Sequence, residues 1–157
     1  MRLALILSLM LSGIALAQPV AAQTCTVTHA TQIEAEVLAD INRLRASAGL
    51  AALRANRVLT GVAQAHACDN AARNSYSHSG SDGSDLTDRL NLGGYDYREA
   101  AENTGLGRFT AAAMVDYWNR SSAHRTNMLN PGVTEAGLGL ARTDNGRNAW
   151  VLVLGRR

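Results

Sequence analysis

"GLGLARTDNGRNAWVLVLG", Gly137 to Gly155, holds two apolar runs on either side of Asn145-Gly146. Asn-Gly tolerates the positive φ angles of a tight turn, so the stretch predicts an antiparallel hairpin with strands over Gly137–Arg142 and Ala149–Gly155. Successive side chains of a strand point to opposite faces. Val151 and Val153 then share one face and Trp150, Leu152 and Leu154 the other, so neither face of the second strand suits water. Both must be covered, and only helices from the rest of the chain can cover them.

The preceding residues supply such helices. Thr31-Gln32-Ile33-Glu34 has the form of a capping box, followed by Ile33, Val37, Ile41 and Leu44 at helical spacing as far as Gly49. A second helix runs from near Asn56 to about Asn74, with Leu59, Val62, Ala63 and His66 on one face. On such a stripe His66 reads as a hydrogen-bonded core residue rather than a ligand. A short helix over about Asp85–Leu92 stops at Gly93-Gly94. Thr110 caps a further helix with Met114, Val115 and Trp118 inward, and Ser121 or Ser122 restarts a turn carrying His124. Tyr95–Gly107 reads as irregular, with a third strand placed loosely between Glu102 and Thr110. The expected fold is α+β, a three-layer α-β-α sandwich with a small antiparallel sheet between helical layers.

Residues 1–17 carry one charge, Arg2, then an apolar run closing on Ala15-Leu16-Ala17. This predicts a secretory signal peptide over 1–17, with an alternative cut after Ala22. The run is shorter than the roughly 20 apolar residues that cross a bilayer, and no other stretch is long enough. The expected organisation is an N-terminal arm over 18–30 and one domain over 31–157, secreted or periplasmic, with no transmembrane segment. An oxidising compartment favours pairing Cys25 with Cys68; two unpaired cysteines, Cys68 being a small buried apolar residue, is the open alternative. All 15 basic residues are arginines, spread along the chain and nearly balanced by 13 acidic ones. That argues against a nucleic-acid partner, which needs a clustered basic surface.

Several chemistries are excluded by inspection: there is no HExxH helix, no GxSxG elbow, and no lysine for a phosphate loop. What remains is His78 in the loop "SYSHSGSDGS" (Ser75–Ser84), Glu102, and His124. If these meet, two neutral imidazoles and a carboxylate can hold Zn2+ or another divalent cation and leave a position for water. The same trio can instead hydrogen-bond to itself, the carboxylate raising each imidazole's pKa, and simply pin loops together. The residues alone leave both readings open.

Four blocks, "INRLRASAGLAAL" (41–53), "LTGVAQAHACDNAARNSYSHSGSDGS" (59–84), "DRLNLGGYDYREAAENTGLG" (88–107) and "MVDYWNRSSAHRTNMLNPGVTEAGLGLA" (114–141), occur in an order that resembles the bacterial branch of the CAP superfamily. This superfamily includes cysteine-rich secretory proteins, antigen 5 and plant pathogenesis-related proteins. The resemblance runs over about Ile33–Gly155 and implies the same α-β-α sandwich, with a cleft lined by two histidines and two acidic residues. His78 and His124 match the histidines and Glu102 one glutamate, with Asn103 beside it in the cleft wall. The second glutamate commonly falls three residues after the tryptophan, where this chain has Ser121, so the set is one carboxylate short. The family's diversity implies lipid or sterol, cell-envelope, protein or divalent-metal partners. The resulting expectation is a secreted, non-enzymatic binding module whose His78, Glu102 and His124 cleft holds a divalent cation and an apolar or envelope ligand. The alternative is a metal-dependent hydrolase of peptide or cell-wall material, with Glu102 as ligand or base.

Overall fold

The structure, a computed structural model, describes Cys25 and residues 30–157. The expected signal peptide and all of the arm except Cys25 and Ala30 lie outside the described residues. In chain order the elements are α1 (Ala30–Ser47), β1 (Arg54–Ala55), α2 (Arg57–Ala72), α3 (Leu86–Leu92), β2 (Glu99–Gly107), α4 (Ala111–Arg120), α5 (Ser122–Met128), β3 (Glu135–Arg142) and β4 (Asn148–Arg156).

The Asn145-Gly146 hairpin forms, with Gly146 at φ +76° and Leu140 facing Trp150 across the β3–β4 ladder. The sheet order is β1-β3-β4-β2. It is mixed rather than wholly antiparallel, because β1 runs parallel to β3 through Arg54 opposite Glu135 and Ala55 opposite Ala136. Two residues are too few to show a strand periodicity, so β1 leaves no trace in the sequence pattern. The third strand begins at Glu99, earlier than expected, and pairs along its whole length with β4, from Glu99 opposite Arg156 to Gly107 opposite Asn148. Its Glu, Asn, Thr and Gly residues hide the alternation that would have marked it.

Both faces of β4 are covered. Trp150, Leu152 and Leu154 pack with Val37 and Ile41 of α1 and Met114, Val115 and Trp118 of α4. Val151 and Val153 pack with Leu59, Val62, Ala63 and Ala67 of α2 and Leu90 of α3. Each large aliphatic side chain buried this way contributes about 1.5–3 kcal/mol. Helix α2 lies directly on β3 because Gly137 and Gly139 have no side chains: a Cβ on Gly137 would come within 2.7 Å of Thr60 Cα, and one on Gly139 within 2.5 Å of Gln64 N.

Helices α2, α3 and α4 are capped at their N-termini, α4 by the expected Thr110. Asn56 accepts from Val58 N and Leu59 N, Asp85 and Asp88 form a capping box, and Thr110 accepts from Ala113 N. The expected capping box at Thr31 does not form: α1 begins at Ala30, so Thr31 sits inside its first turn. Glu34 is used elsewhere, accepting from Thr60 Oγ1 at 2.6 Å and Leu138 N at 3.1 Å. Its carboxylate ties α1 to α2 and β3, a long-range contact that outcompetes local capping. Arg45, 1% exposed, donates to the carbonyls of Ala51, Met128, Asn130 and Val133. Cys25 and Cys68 form a disulfide with Cα atoms 5.6 Å apart, fastening the arm to α2. Among the described residues no helix is long and apolar enough to cross a membrane.

Candidate functional site

Strand β2 is an edge of the sheet, and its alternation sends neighbouring side chains to opposite layers. Glu102 turns toward α2 and α3; Asn103 turns toward α5. At this edge the loop after α2 and the helix α5 both reach β2.

The loop that carries His78 is fastened residue by residue. Thr104 Oγ1 donates to Tyr76 O at 2.6 Å. Asn70 grips Ser77 twice, donating to its carbonyl at 2.9 Å and accepting from its amide at 3.1 Å, while His66 Nε2 donates to the same carbonyl at 2.8 Å. Arg89 Nη1 donates to His78 O at 3.1 Å, and Arg73 Nη2 to Ser79 O at 3.0 Å. A serine- and glycine-rich segment with no apolar anchor is thereby held in place by polar side chains of α2, α3 and β2.

His78 Nδ1 donates to Glu102 Oε1 at 2.8 Å, and Arg89 Nη2 donates to Glu102 Oε2 at 2.8 Å. The carboxylate, 3% exposed, therefore has both oxygens engaged. Its hydrogen bond raises the His78 pKa above the usual histidine value, against the smaller effects of burial and of Arg89. His66 Nε2 lies 4.0 Å from Glu102 Oε1, but burial lowers the His66 pKa and leaves the ring neutral, so this is a contact and not an ion pair. His124, on α5, has its pKa lowered by burial and then by His78. The expectation that the carboxylate would raise each imidazole thus holds for His78 alone. His124 gains no such partner, and its Nδ1 is buried without one among the described residues.

Asn103, expected in the cleft wall, is fully buried instead. Helix α5 packs on its face of β2, and Asn103 holds that helix: Asn103 Nδ2 donates to His124 O at 3.0 Å, and Asn127 Nδ2 donates to Asn103 Oδ1 at 2.9 Å and to Glu102 O at 3.1 Å. Ser121 stands half-buried at the N-cap position of α5 and makes no side-chain capping bond.

Two participants escape sequence reasoning. Arg89 lies one residue before the inward Leu90 on a short helix, with nothing local to say that its guanidinium crosses to β2. His66 reads as a core residue, and it is one, yet it also borders Glu102. Among the described residues no group of three His, Cys, Asp or Glu is arranged to hold a metal ion. Glu102 in particular does not fit as a direct ligand, since an imidazole and a guanidinium already occupy its oxygens. Among the described residues, the imidazole nitrogen left free of protein partners beside Glu102 is Nε2 of His78, opposite the nitrogen bonded to the carboxylate.

The family model described as CAP, cysteine-rich secretory protein family, matches residues 38–154. The chain is 32% identical over 123 residues to the uncharacterized membrane protein YlbC of Bacillus subtilis, a match spanning 76% of this chain and 36% of that protein. It therefore spans about a third of that relative's length. Among solved structures it is similar to an outer surface protein from Borrelia burgdorferi, with TM-score 0.76 and 18% identity over 83% of this chain and 96% of that one. It is also similar to an extracellular protein containing an SCP domain from Bacillus anthracis, with TM-score 0.71 and 26% identity over 81% of this chain and 41% of that one.

Proposed function

The chain belongs to the cysteine-rich secretory protein (CAP) family, and on that premise we propose that it is an extracytoplasmic, non-enzymatic binding module for a cell-envelope component. Its cleft engages ligand through His78 and His124, and Glu102 positions His78. One observation carries this reading: both oxygens of a nearly buried Glu102 are bound, one to His78 Nδ1 and one to Arg89 Nη2. A hydrolase needs a base free to take a proton from water. A carboxylate held between a guanidinium and an imidazole is not such a base, and Ser121 supplies no second one. The disulfide and the extracellular relative from Bacillus anthracis support the location.

The two imidazoles suit Zn2+ or a similar cation, with Glu102 holding His78 so that Nε2 points outward, as carboxylates commonly orient ligating histidines. A cation bound there would offer a point of attachment to an anionic or carbonyl oxygen of the ligand.

Calorimetric titration of the chelator-stripped protein with zinc near neutral pH tests the reading. Binding lost in His78→Ala and in His124→Ala, and weakened roughly 10–100-fold in Glu102→Gln, is the expected result. Absence of binding overturns the cation site. Metal-dependent cleavage of peptide or cell-wall material that disappears in Glu102→Gln would overturn the non-enzymatic assignment.

A further inference from the structure

A cleft of about 330 Å³ opens beside His66 and Arg89, between α2, the loop Gly80–Ser84 and α3. His66, Asp69, Asp88 and Arg89 line it, together with Ala65 and Leu92. Its size falls within the ordinary range of small-molecule sites, about 300–1,000 Å³. Two of its residues carry buried polar atoms with no partner among the described residues, His66 Nδ1 and Arg89 Nε. His66 is 1% exposed and the Arg89 side chain 10%. Folded proteins leave few such atoms, and each calls for an explanation.

The hydrogen positions follow from the partners. His66 Nε2 lies 2.8 Å from a carbonyl, Ser77 O, so it carries the ring hydrogen and Nδ1 presents a bare lone pair. That lone pair is 4.0 Å from Asp69 Oδ2, itself an acceptor already bound by Arg73 Nη2 and Ser81 N, so Asp69 offers it no donor. Arg89 is the converse case. Its Nη atoms are spent on His78 O, Ser84 O and Glu102, and its Nε–H is a donor lacking an acceptor. A ligand completing this wall has to donate at one point and accept at another, which neighbouring hydroxyl groups do. Asp69 and Asp88 disfavour a phosphate or any other anion. Ala65 and Leu92, the latter 91% exposed, provide an apolar patch against which the C–H face of a ring can pack. A second, more apolar cleft of about 350 Å³ adjoins along Val62 and shares Ala65, Arg89 and Leu92, so a longer ligand has room to continue.

We propose that this cleft is a subsite for a neutral sugar ring, free or as one unit of a glycan, whose hydroxyls donate to His66 Nδ1 and Asp69 and accept from Arg89 Nε–H. The proposal deepens the binding reading above by naming a ligand class. It uses a separate cleft, which shares His66 and Arg89 with the His78 site.

The test is an NMR titration of the 15N-labelled protein with methyl glucoside, methyl N-acetylglucosaminide, triacetylchitotriose and inorganic phosphate. Saturable shifts of the Ala65, Ser81 and Leu92 amides and of Arg89 Nε–H with a sugar are expected. They should vanish in Ala65→Leu, which fills the cleft from an exposed helical position, while the zinc titration of that variant is unchanged. Tighter binding of the trisaccharide identifies a glycan as the source, and equal binding a free sugar. No shift with any sugar, sugar shifts that persist in Ala65→Leu, or phosphate moving these resonances more than the sugars overturns the proposal. Zinc binding that fails while the sugar shifts remain overturns the cation site and not this subsite.

Discussion

Replacing Gly139 by alanine should unsettle both the core and the site. The new Cβ would stand 2.5 Å from Gln64 N and closer still to the Ala63 carbonyl, whereas ordinary van der Waals contact begins near 3.4 Å. Helix α2 must then retreat by about 0.9 Å or more, and since the obstruction is backbone, no rotamer change relieves it. Overpacking typically costs about 1–3 kcal/mol, and this case belongs at the upper end. The reduced freedom of the unfolded chain returns about 0.4–1 kcal/mol, for a net loss of about 2 kcal/mol. Because α2 carries His66 and Asn70, which clamp Ser77, the retreat should also weaken the zinc binding proposed at the adjoining His78. Urea unfolding followed by the fluorescence of Trp118 and Trp150 measures the first effect, and calorimetry the second. Gly61→Ala is the control: nothing lies within 4 Å of its Cβ, and removing a helical glycine should stabilise by up to about 1 kcal/mol. A Gly139→Ala protein within about 0.5 kcal/mol of the parent would refute the argument that these glycines seat the helix.

Reduction of the disulfide, or the pair Cys25→Ser and Cys68→Ser, should cost about 4 kcal/mol by the loop-entropy relation for a separation of 43 residues, read as a lower urea midpoint. Arg45→Ala strips the donors from four inward carbonyls and should lose about 3 kcal/mol or more, with Arg45→Lys recovering little because an ammonium cannot reproduce the planar fork. His66 and His124 have pKa values lowered by burial, so the stability they confer as neutral rings is present above about pH 6.5 and is lost as pH falls through their folded values. His66→Gln should flatten that acid-side slope in a pH series of urea midpoints, and an unchanged slope would contradict the assignment. His78 has the opposite sign: its raised pKa gives a contribution present below about pH 6.5 and lost as pH rises through the folded value. In Glu102→Gln its NMR titration midpoint should drop; a midpoint that stays put would show that Glu102 is not the cause.

The layers are legible because each depends on a pattern within a few residues. Alternation on both faces of Trp150–Leu154 demands two covering layers, and the stripes of α1, α2 and α4 provide them. Where the pattern is short or polar it fails, as in the two residues of β1 and the start of β2 at Glu99. The trio His78, Glu102 and His124 can be nominated from residue type and resemblance, with no way to know which groups face one another.

The sequence by itself determined the helices, the hairpin and the need for a covered sheet, since periodicity, caps and turn residues act locally. Tertiary structure alone decided what Glu102 is: Arg89 and His78 lie 13 and 24 residues away and meet its two oxygens only because β2 is an edge strand with α3 and the Ser75–Ser84 loop folded against it. It likewise took Glu34 from a cap and made it a tie to Leu138, 104 residues on, and turned Asn103 inward to hold α5. A hydrogen bond is won by whichever partner the packed layers bring within about 3 Å, and that distance is a property of the fold.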